Sequence, residues 1–273
     1  MLAYYPGCTI RAEARELESK TLNFLNFFGV ETKELNEWEC CGAVYPLAKD
    51  DYVGLLPSAR AMIKVKEGGY DGLFALCSAC FHVLQRVDTR LEKDKKTKIR
   101  VDKILEEEVP NDVKIYNFFD VVKEYIGMDK LKEKVVKPLE GEKVAPYYGC
   151  LLLRPYDEIG LDSPKKPEIM ENILESIGAT PISYPYSEDC CGASLIIHNK
   201  EAALGMSKKI IDSAKGQGAD KIVTSCPLCK YNLERALKEE LSENDMEVEY
   251  IITPIVKALD LKLEGKGGKK DAI

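Results

Sequence analysis

The sequence predicts an α/β protein made of two tandem duplicated lobes, each a small, mostly parallel sheet with helices on its faces. Two observations predict it. Ten cysteines fall into two sets of five with nearly the same spacing, and short apolar runs alternate with longer amphipathic stretches in the same order in both halves.

The first half opens with an apolar run at 2–5 that reads as a strand. A helix follows over 13–28, where Leu17, Leu22, Phe24, Leu25 and Phe28 are spaced for one buried face and Gly29 stands just past the end. Next come a strand at 31–35, a helix at 52–66, a strand at 73–76, a helix at 79–91, a strand at 114–116 and a helix at 118–126. The second half predicts strands at 143–148, 181–184, 221–225 and 247–252, with helices at 167–177, 200–215, 228–241 and 254–259. Strands alternating with helices indicate βαβ units and hence a parallel sheet. A charged stretch with Pro and Gly at 128–142 reads as the linker, so the expected domains are 1–135 and 136–264, with a flexible tail at 265–273.

The duplication is written in the cysteines. Cys8, Cys40, Cys41, Cys77 and Cys80 are followed by Cys150, Cys190, Cys191, Cys226 and Cys229 at offsets of 142, 150, 150, 149 and 149. Neighbouring residues repeat as well: Tyr5-Pro6-Gly7-Cys8 answers Tyr147-Tyr148-Gly149-Cys150, and Cys40-Cys41-Gly42-Ala43 answers Cys190-Cys191-Gly192-Ala193. Cys8, Cys77, Cys150 and Cys226 each follow a predicted strand, where open α/β sheets bind their ligands. Both thiol-bearing ends are expected to face one cleft about a pseudo-two-fold axis.

Composition narrows the function. With 45% hydrophobic and 31% charged residues the chain is a folded one, and no apolar run is long enough to span a bilayer. The N-terminal residues lack a basic segment followed by an apolar stretch, so the expected location is the cytoplasm. A net charge of -7 argues against nucleic acid as a partner. The basic runs at 93–100, 130–137 and 262–270 read as solvated surface. Ten thiols in a reducing compartment point to metal binding or redox chemistry rather than to structural disulfides.

Thiolates favour zinc, copper(I) or iron-sulfur clusters. Cys77-Ser78-Ala79-Cys80 and Cys226-Pro227-Leu228-Cys229 also have thioredoxin-type spacing, though that reading leaves six cysteines without a role. Four thiolates close a structural zinc site, and five exceed it. Adjacent cysteines such as Cys40 and Cys41 direct their side chains apart, which suits different irons of one cluster.

The five-cysteine pattern, with Cys-Cys-Gly at its centre, resembles the cysteine-rich "CCG" domain over nearly the whole chain. The gap of 34 residues between Cys191 and Cys226 is one shorter than its counterpart in the first half. The two-lobed layout, with the segment Tyr148-Gly149-Cys150-Leu151-Leu152-Leu153-Arg154-Pro155, is similar to the B subunits of methanogen heterodisulfide reductases. The resemblance implies a non-cubane [4Fe-4S] cluster on each set of five cysteines. It implies the coenzyme M-coenzyme B disulfide as substrate, reduced to two thiols between the clusters. It also implies electrons from a flavin-containing A subunit through an iron-sulfur C subunit, in a complex with a hydrogenase or formate dehydrogenase. The alternative is a non-catalytic electron-transfer subunit of the kind found in hydroxy-acid oxidase or succinate dehydrogenase complexes.

Four further residues are candidates. His82 and His198 stand near cluster cysteines and suit a proton donor or a hydrogen bond to sulfur. Arg154 and Lys230 suit an anionic coenzyme pair. Surface charge and helix-face packing are the competing readings, and Trp38 is expected to pack against the cluster loop.

Overall fold

The computed structural model describes residues 1–43, 52–163, 166–240 and 246–262. The predicted tail at 265–273 lies outside them. Strand β1 (Leu2–Tyr5) is buried along its whole length, as an apolar run between two helical layers must be. It pairs in parallel with β2 (Thr32–Glu34) on one side and β3 (Leu73–Ala75) on the other, and β4 (Ile115–Tyr116) adds to β3. The second half builds the same sheet from β5 (Lys143–Tyr147), β6 (Thr180–Pro181), β7 (Lys221–Thr224) and β8 (Glu247–Tyr250). The strand orders are β2-β1-β3-β4 and β6-β5-β7-β8, so the duplication read from the cysteines extends to the topology. In each sheet the order reverses beside the first strand, which opens a crevice at the carboxyl ends of β1 and β3, and of β5 and β7.

The helix predicted over 13–28 is present at 15–27, and a short helix that the sequence does not predict precedes it. α1 (Cys8–Glu13) starts on the first cysteine itself, and α2 (Arg15–Phe27) follows after Ala14 leaves helical geometry at φ -128. α3 (Leu56–Glu67) follows a single 3-10 turn, and α4 (Ser78–Lys93) starts one residue after Cys77. The basic run at 93–100, expected only as solvated surface, leads into a helix, α5 (Lys95–Leu105). Asp94 starts it, its carboxylate accepting the backbone N–H groups of Lys96 and Thr97. After α6 (Phe118–Val121) and a π turn, the expected linker holds a further helix, α7 (Met128–Glu133). The second half adds α8 (Tyr156–Ile159), α9 (Ile169–Ser176), α10 (Lys200–Gly216), α11 (Pro227–Glu240) and α12 (Ile252–Ala258).

The lobes exchange contacts. α12, at the end of the second half, packs on α2 of the first, and α7, at the end of the first half, packs on α9 of the second. The ammonium of Lys20 donates to Thr253 Oγ1 at 3.0 Å across the first of these contacts. One continuous apolar core runs from Leu2, Phe24 and Phe118 to Ile173, Ile252 and Ile255, residues of both halves. Each such side chain contributes about 1.5–3 kcal/mol when fully buried. The lobes are therefore joined by core packing rather than tethered by a flexible linker, which fixes the relative position of their cysteines.

Candidate metal centre

Strand ends and helix starts deliver the thiols. Cys8 opens α1, Cys77 immediately precedes α4, and Cys226 immediately precedes α11. A thiolate or anionic cluster at such a position meets unpaired backbone N–H groups and the positive end of the helix dipole. Cys40 and Cys41, like Cys190 and Cys191, lie in the loops after β2 and β6.

Adjacent cysteines turn to different partners. In the first lobe Cys40 Sγ lies 3.7 Å from Cys8 Sγ, whereas Cys41 Sγ lies 3.3 Å from Cys80 Sγ. In the second lobe Cys191 Sγ is 3.6 Å from Cys229 Sγ, and Cys190 contacts Cys150. Among the described residues no three His, Cys, Asp or Glu side chains converge on one metal-ion position; the thiols line a wider space.

Because the thiols hydrogen-bond one another, they cannot all ionise together. Contact with Cys226 pushes Cys77 up to about 12, contact with Cys190 pushes Cys191 up to about 11, and hydrogen bonding from Cys150 pulls Cys190 down to about 2. Cys80 and Cys229 are held well above the ordinary thiol range by contact with Cys41 and Cys191. Five thiols that share protons in this way call for bound cations before all can be thiolates. Thiophilic metal fits the donor set.

The loops that carry the thiols are themselves held. The hydroxyl of Tyr147 donates to the carbonyl of Asp189 at 2.6 Å, and the hydroxyl of Tyr5 donates to the carbonyl of Glu39. Each tyrosine thus pins the residue before a Cys-Cys pair. Gly7 has φ +74 and ψ 156, and a Cβ there would stand 2.7 Å from Cys80 Sγ; at Gly149 it would stand 3.2 Å from Cys229 Sγ. The backbone N–H of Gly192 donates to Cys190 Sγ at 3.3 Å, and that of Gly42 donates to Cys40 Sγ at 3.5 Å. Hydrogen bonds of this type tune a thiolate-bound cluster. In the second lobe the carbonyl of Cys191 also accepts from Asn232 Nδ2 at 3.1 Å and from Ser207 Oγ at 2.9 Å.

The two sets meet. Cys77 and Cys226, which are equivalent in the duplication, are close enough for each to shift the other's ionisation, Cys77 upward and Cys226 downward. Beside them the buried hydroxyls of Ser78 and Ser225 hydrogen-bond at 3.0 Å. Next to this junction is a cavity of about 310 Å³ lined by all five second-lobe cysteines, with Ala43, Ser78 and Ala79 contributed by the first lobe. Its buried floor includes Cys191, Cys226 and Cys229, and its exposed rim includes Ile197 and Tyr231.

The remaining candidates sit around this site without lining the cavity. The imidazole of His82, whose pKa burial lowers, meets the carbonyl of Leu151 at 3.1 Å across the lobe junction. His198 is exposed in the loop after Cys191. The guanidinium of Arg154 donates to the carbonyl and the carboxylate of Glu188 at 3.3 and 3.4 Å. Lys230 is bonded to Glu234 at 2.5 Å and lies over the Tyr250 ring. Trp38 packs edge-on to Tyr5 and donates to Glu34. Sequence reasoning misses the tyrosine clamps, although Tyr-x-Gly-Cys occurs in both halves. Ser78 and Ser225 leave no such signal, because they are not equivalent positions.

Comparison with known proteins gives this arrangement its context. The chain is 28% identical over 235 residues to the 8-methylmenaquinol:fumarate reductase membrane anchor subunit of Wolinella succinogenes, covering 85% of this chain and 81% of that one. It is 26% identical over 239 residues to the B subunit of the ferredoxin/F(420)H(2)-dependent CoB-CoM heterodisulfide reductase of Methanosarcina acetivorans, covering 86% and 79%. Among the described residues no helix is long and apolar enough to cross a membrane. A solved structure of a hypothetical protein from Helicobacter pylori superposes with a TM-score of 0.76 at 15% identity, covering 96% of this chain and 49% of that one, a likeness of fold. The family model of the cysteine-rich domain CCG matches residues 2–85 and 144–234, the two halves that carry the thiol sets, and the chain belongs to that family as a tandem pair of its domains.

Proposed function

We propose that this chain is the catalytic iron-sulfur subunit of a disulfide-reducing complex, with Cys8, Cys40, Cys41, Cys77 and Cys80 holding one non-cubane [4Fe-4S] cluster and Cys150, Cys190, Cys191, Cys226 and Cys229 a second. The observation that carries this reading is the 3.0 Å hydrogen bond between Ser78 and Ser225, neighbours of Cys77 and Cys226, which brings the two thiol sets together beside one cavity. Clusters, when bound, supply electrons one at a time, and a disulfide takes two. The S–S bond breaks as two electrons and two protons arrive, and two thiols leave. The chain's own part is to hold both sets of thiols rigidly through the shared core, to pin the Cys-Cys loops through Tyr5 and Tyr147, and to keep the site partly enclosed.

The heterodisulfide reductase B subunit among the relatives supports the coenzyme M-coenzyme B disulfide as the substrate to try first; A and C subunits as electron donors, with a hydrogenase or formate dehydrogenase behind them, are the proposed partners. The cytoplasm is the proposed location, and a boundary between 135 and 136 the proposed division of the domains. His82 is the better placed of the two histidines to relay a proton, since it bridges the lobes. The similarity to a fumarate reductase subunit favours a second reading, an electron-transfer subunit that passes electrons without touching substrate.

Anaerobic reconstitution tests the cofactor assignment. Iron and acid-labile sulfide are expected in near-equal amounts, and Cys41→Ser or Cys191→Ser is expected to remove one cluster's paramagnetic signal and leave the other. Mainly zinc with little sulfide, or loss of both signals from one substitution, contradicts it.

A further inference from the structure

We infer that Ser58 is a positioning residue of the first Cys-Cys pair: when the first thiol set holds metal, its hydroxyl donates to the carbonyl of Cys41. The inference rests on the reading of both thiol sets as metal centres and adds a residue to the first of them. The duplication supplies the template. In the second lobe Ser207, buried in α10, donates through Oγ to the Cys191 carbonyl at 2.9 Å, and Asn232 Nδ2 donates to the same oxygen at 3.1 Å. From Leu55 to Cys80 the first lobe aligns without a gap on Leu204 to Cys229, at the offset of 149. Ser58 of α3 is therefore the counterpart of Ser207, and Val83 is the counterpart of Asn232.

Ser58 is 1% exposed, and its hydroxyl has no hydrogen-bond partner among the described residues. A buried hydroxyl left unpaired is unfavourable, and native chains seldom keep one without a use for it. With valine in place of Asn232, Ser58 is what the first lobe retains of the second lobe's pair of donors. The thiol end of the pair is already in register: Cys41 Sγ lies 3.3 Å from Cys80 Sγ, as Cys191 Sγ lies 3.6 Å from Cys229 Sγ. What differs is how the loop sits on its helix. A Cβ added at Gly192 would stand 2.8 Å from Ala203 Cα in the first turn of α10, whereas one added at Gly42 meets no described atom within 4 Å. The path from Cys41 to Ser58 also holds one residue more than that from Cys191 to Ser207, which gives the first loop slack. Once the thiolates of Cys40 and Cys41 are fixed on metal, the Cys41 carbonyl can take up the place that the Cys191 carbonyl already has. The second set is built before metal arrives, and the first is completed by it.

The test compares alanine variants of the full chain with and without metal. Without metal, Ser207→Ala is expected to lower the denaturation midpoint, because it breaks a formed bond, and Ser58→Ala to leave the midpoint unchanged or raise it. In the reconstituted chain, Ser58→Ala is expected to speed the loss of iron from the first set to a chelator about fivefold, the ratio that corresponds to a hydrogen bond of ~1 kcal/mol. It is also expected to shift the first cluster's paramagnetic signal alone. Cys191→Ser, which leaves only the first set complete, isolates the rate measurement. A metal-free midpoint lowered by Ser58→Ala as much as by Ser207→Ala means a hydroxyl already satisfied, by ordered water or by the chain, and overturns the inference. An unchanged rate of iron loss overturns it as well. If zinc is found in place of iron and sulfide, the cluster reading falls, and the same comparison of metal release still decides the part played by Ser58.

Discussion

Replacing Gly7 by alanine isolates the contact between the first cysteine's turn and the last thiol of the set. Gly7 adopts φ +74 and ψ 156, a region held almost wholly by glycine, and an alanine there costs of order 1–3 kcal/mol in backbone strain. Its Cβ would also stand 2.7 Å from Cys80 Sγ, so the thiol must move, and overpacking of this kind costs about 1–3 kcal/mol more. Gly42 is the control: it has φ +76 but no described atom within 4 Å of an added Cβ, so alanine there costs only the backbone's ~1–2 kcal/mol. With ~2–4 °C per kcal/mol for a chain near this size, Gly7→Ala, at about 2–6 kcal/mol in all, is expected to lower the unfolding temperature by roughly 4–24 °C, and Gly42→Ala by roughly 2–8 °C. Iron bound per chain after reconstitution provides the second readout, falling at the first lobe in Gly7→Ala and holding in Gly42→Ala. Equal unfolding temperatures with full iron in both variants refute the claim that the glycine is required by the Cys80 thiol.

Other predictions rest on single contacts. Tyr147→Phe removes the 2.6 Å hydrogen bond to the Asp189 carbonyl and is expected to cost about 0.5–1.5 kcal/mol in chemical denaturation, with the second cluster's spectrum broadened. Ser78→Ala and Ser225→Ala each leave a buried hydroxyl without its 3.0 Å partner, for about 1–3 kcal/mol apiece. The double variant is expected to be less damaged than their sum, and strict additivity would argue against the pairing. Burial, reinforced by Glu92, pushes Asp88 up to about 6. A carboxyl that holds its proton more tightly in the folded chain lowers stability as pH rises from about 4 through 6. Asp88→Asn is therefore expected to stabilise the protein at pH 7.5 by about 1 kcal/mol after allowing for solvent screening, and to have no effect below pH ~4. An effect independent of pH contradicts the assignment.

The cysteine offsets make the lobes, the parallel sheets and the two thiol sets legible in the sequence, because a duplicated βαβ unit repeats both its ligands and its apolar runs. What escapes is set by packing between distant segments. α5 follows from a cap at Asp94 rather than from hydrophobic period, and its lysines resemble a solvated run. α7 lies in a stretch whose Pro and Gly read as a linker, yet its helix is docked on α9. Arg154 stands near the thiols in sequence, but the Glu188 carboxylate that holds it is brought to it only by the folding of the loops; Lys230 is held by Glu234, one turn on in the same helix α11. The meeting of Cys77 with Cys226 depends on how the halves dock, a property no single half encodes.

The central claim is that both thiol sets act on one disulfide. It is tested most directly by a single turnover: chain carrying both clusters is reduced by two electrons, mixed without further reductant with the coenzyme M-coenzyme B disulfide, and the released thiols are counted. Two thiols per chain are expected from the native protein and none from Cys80→Ser or Cys229→Ser, each of which removes a ligand from one set. Full release from either variant, or no release from the fully loaded native chain, would contradict a reaction shared between the lobes.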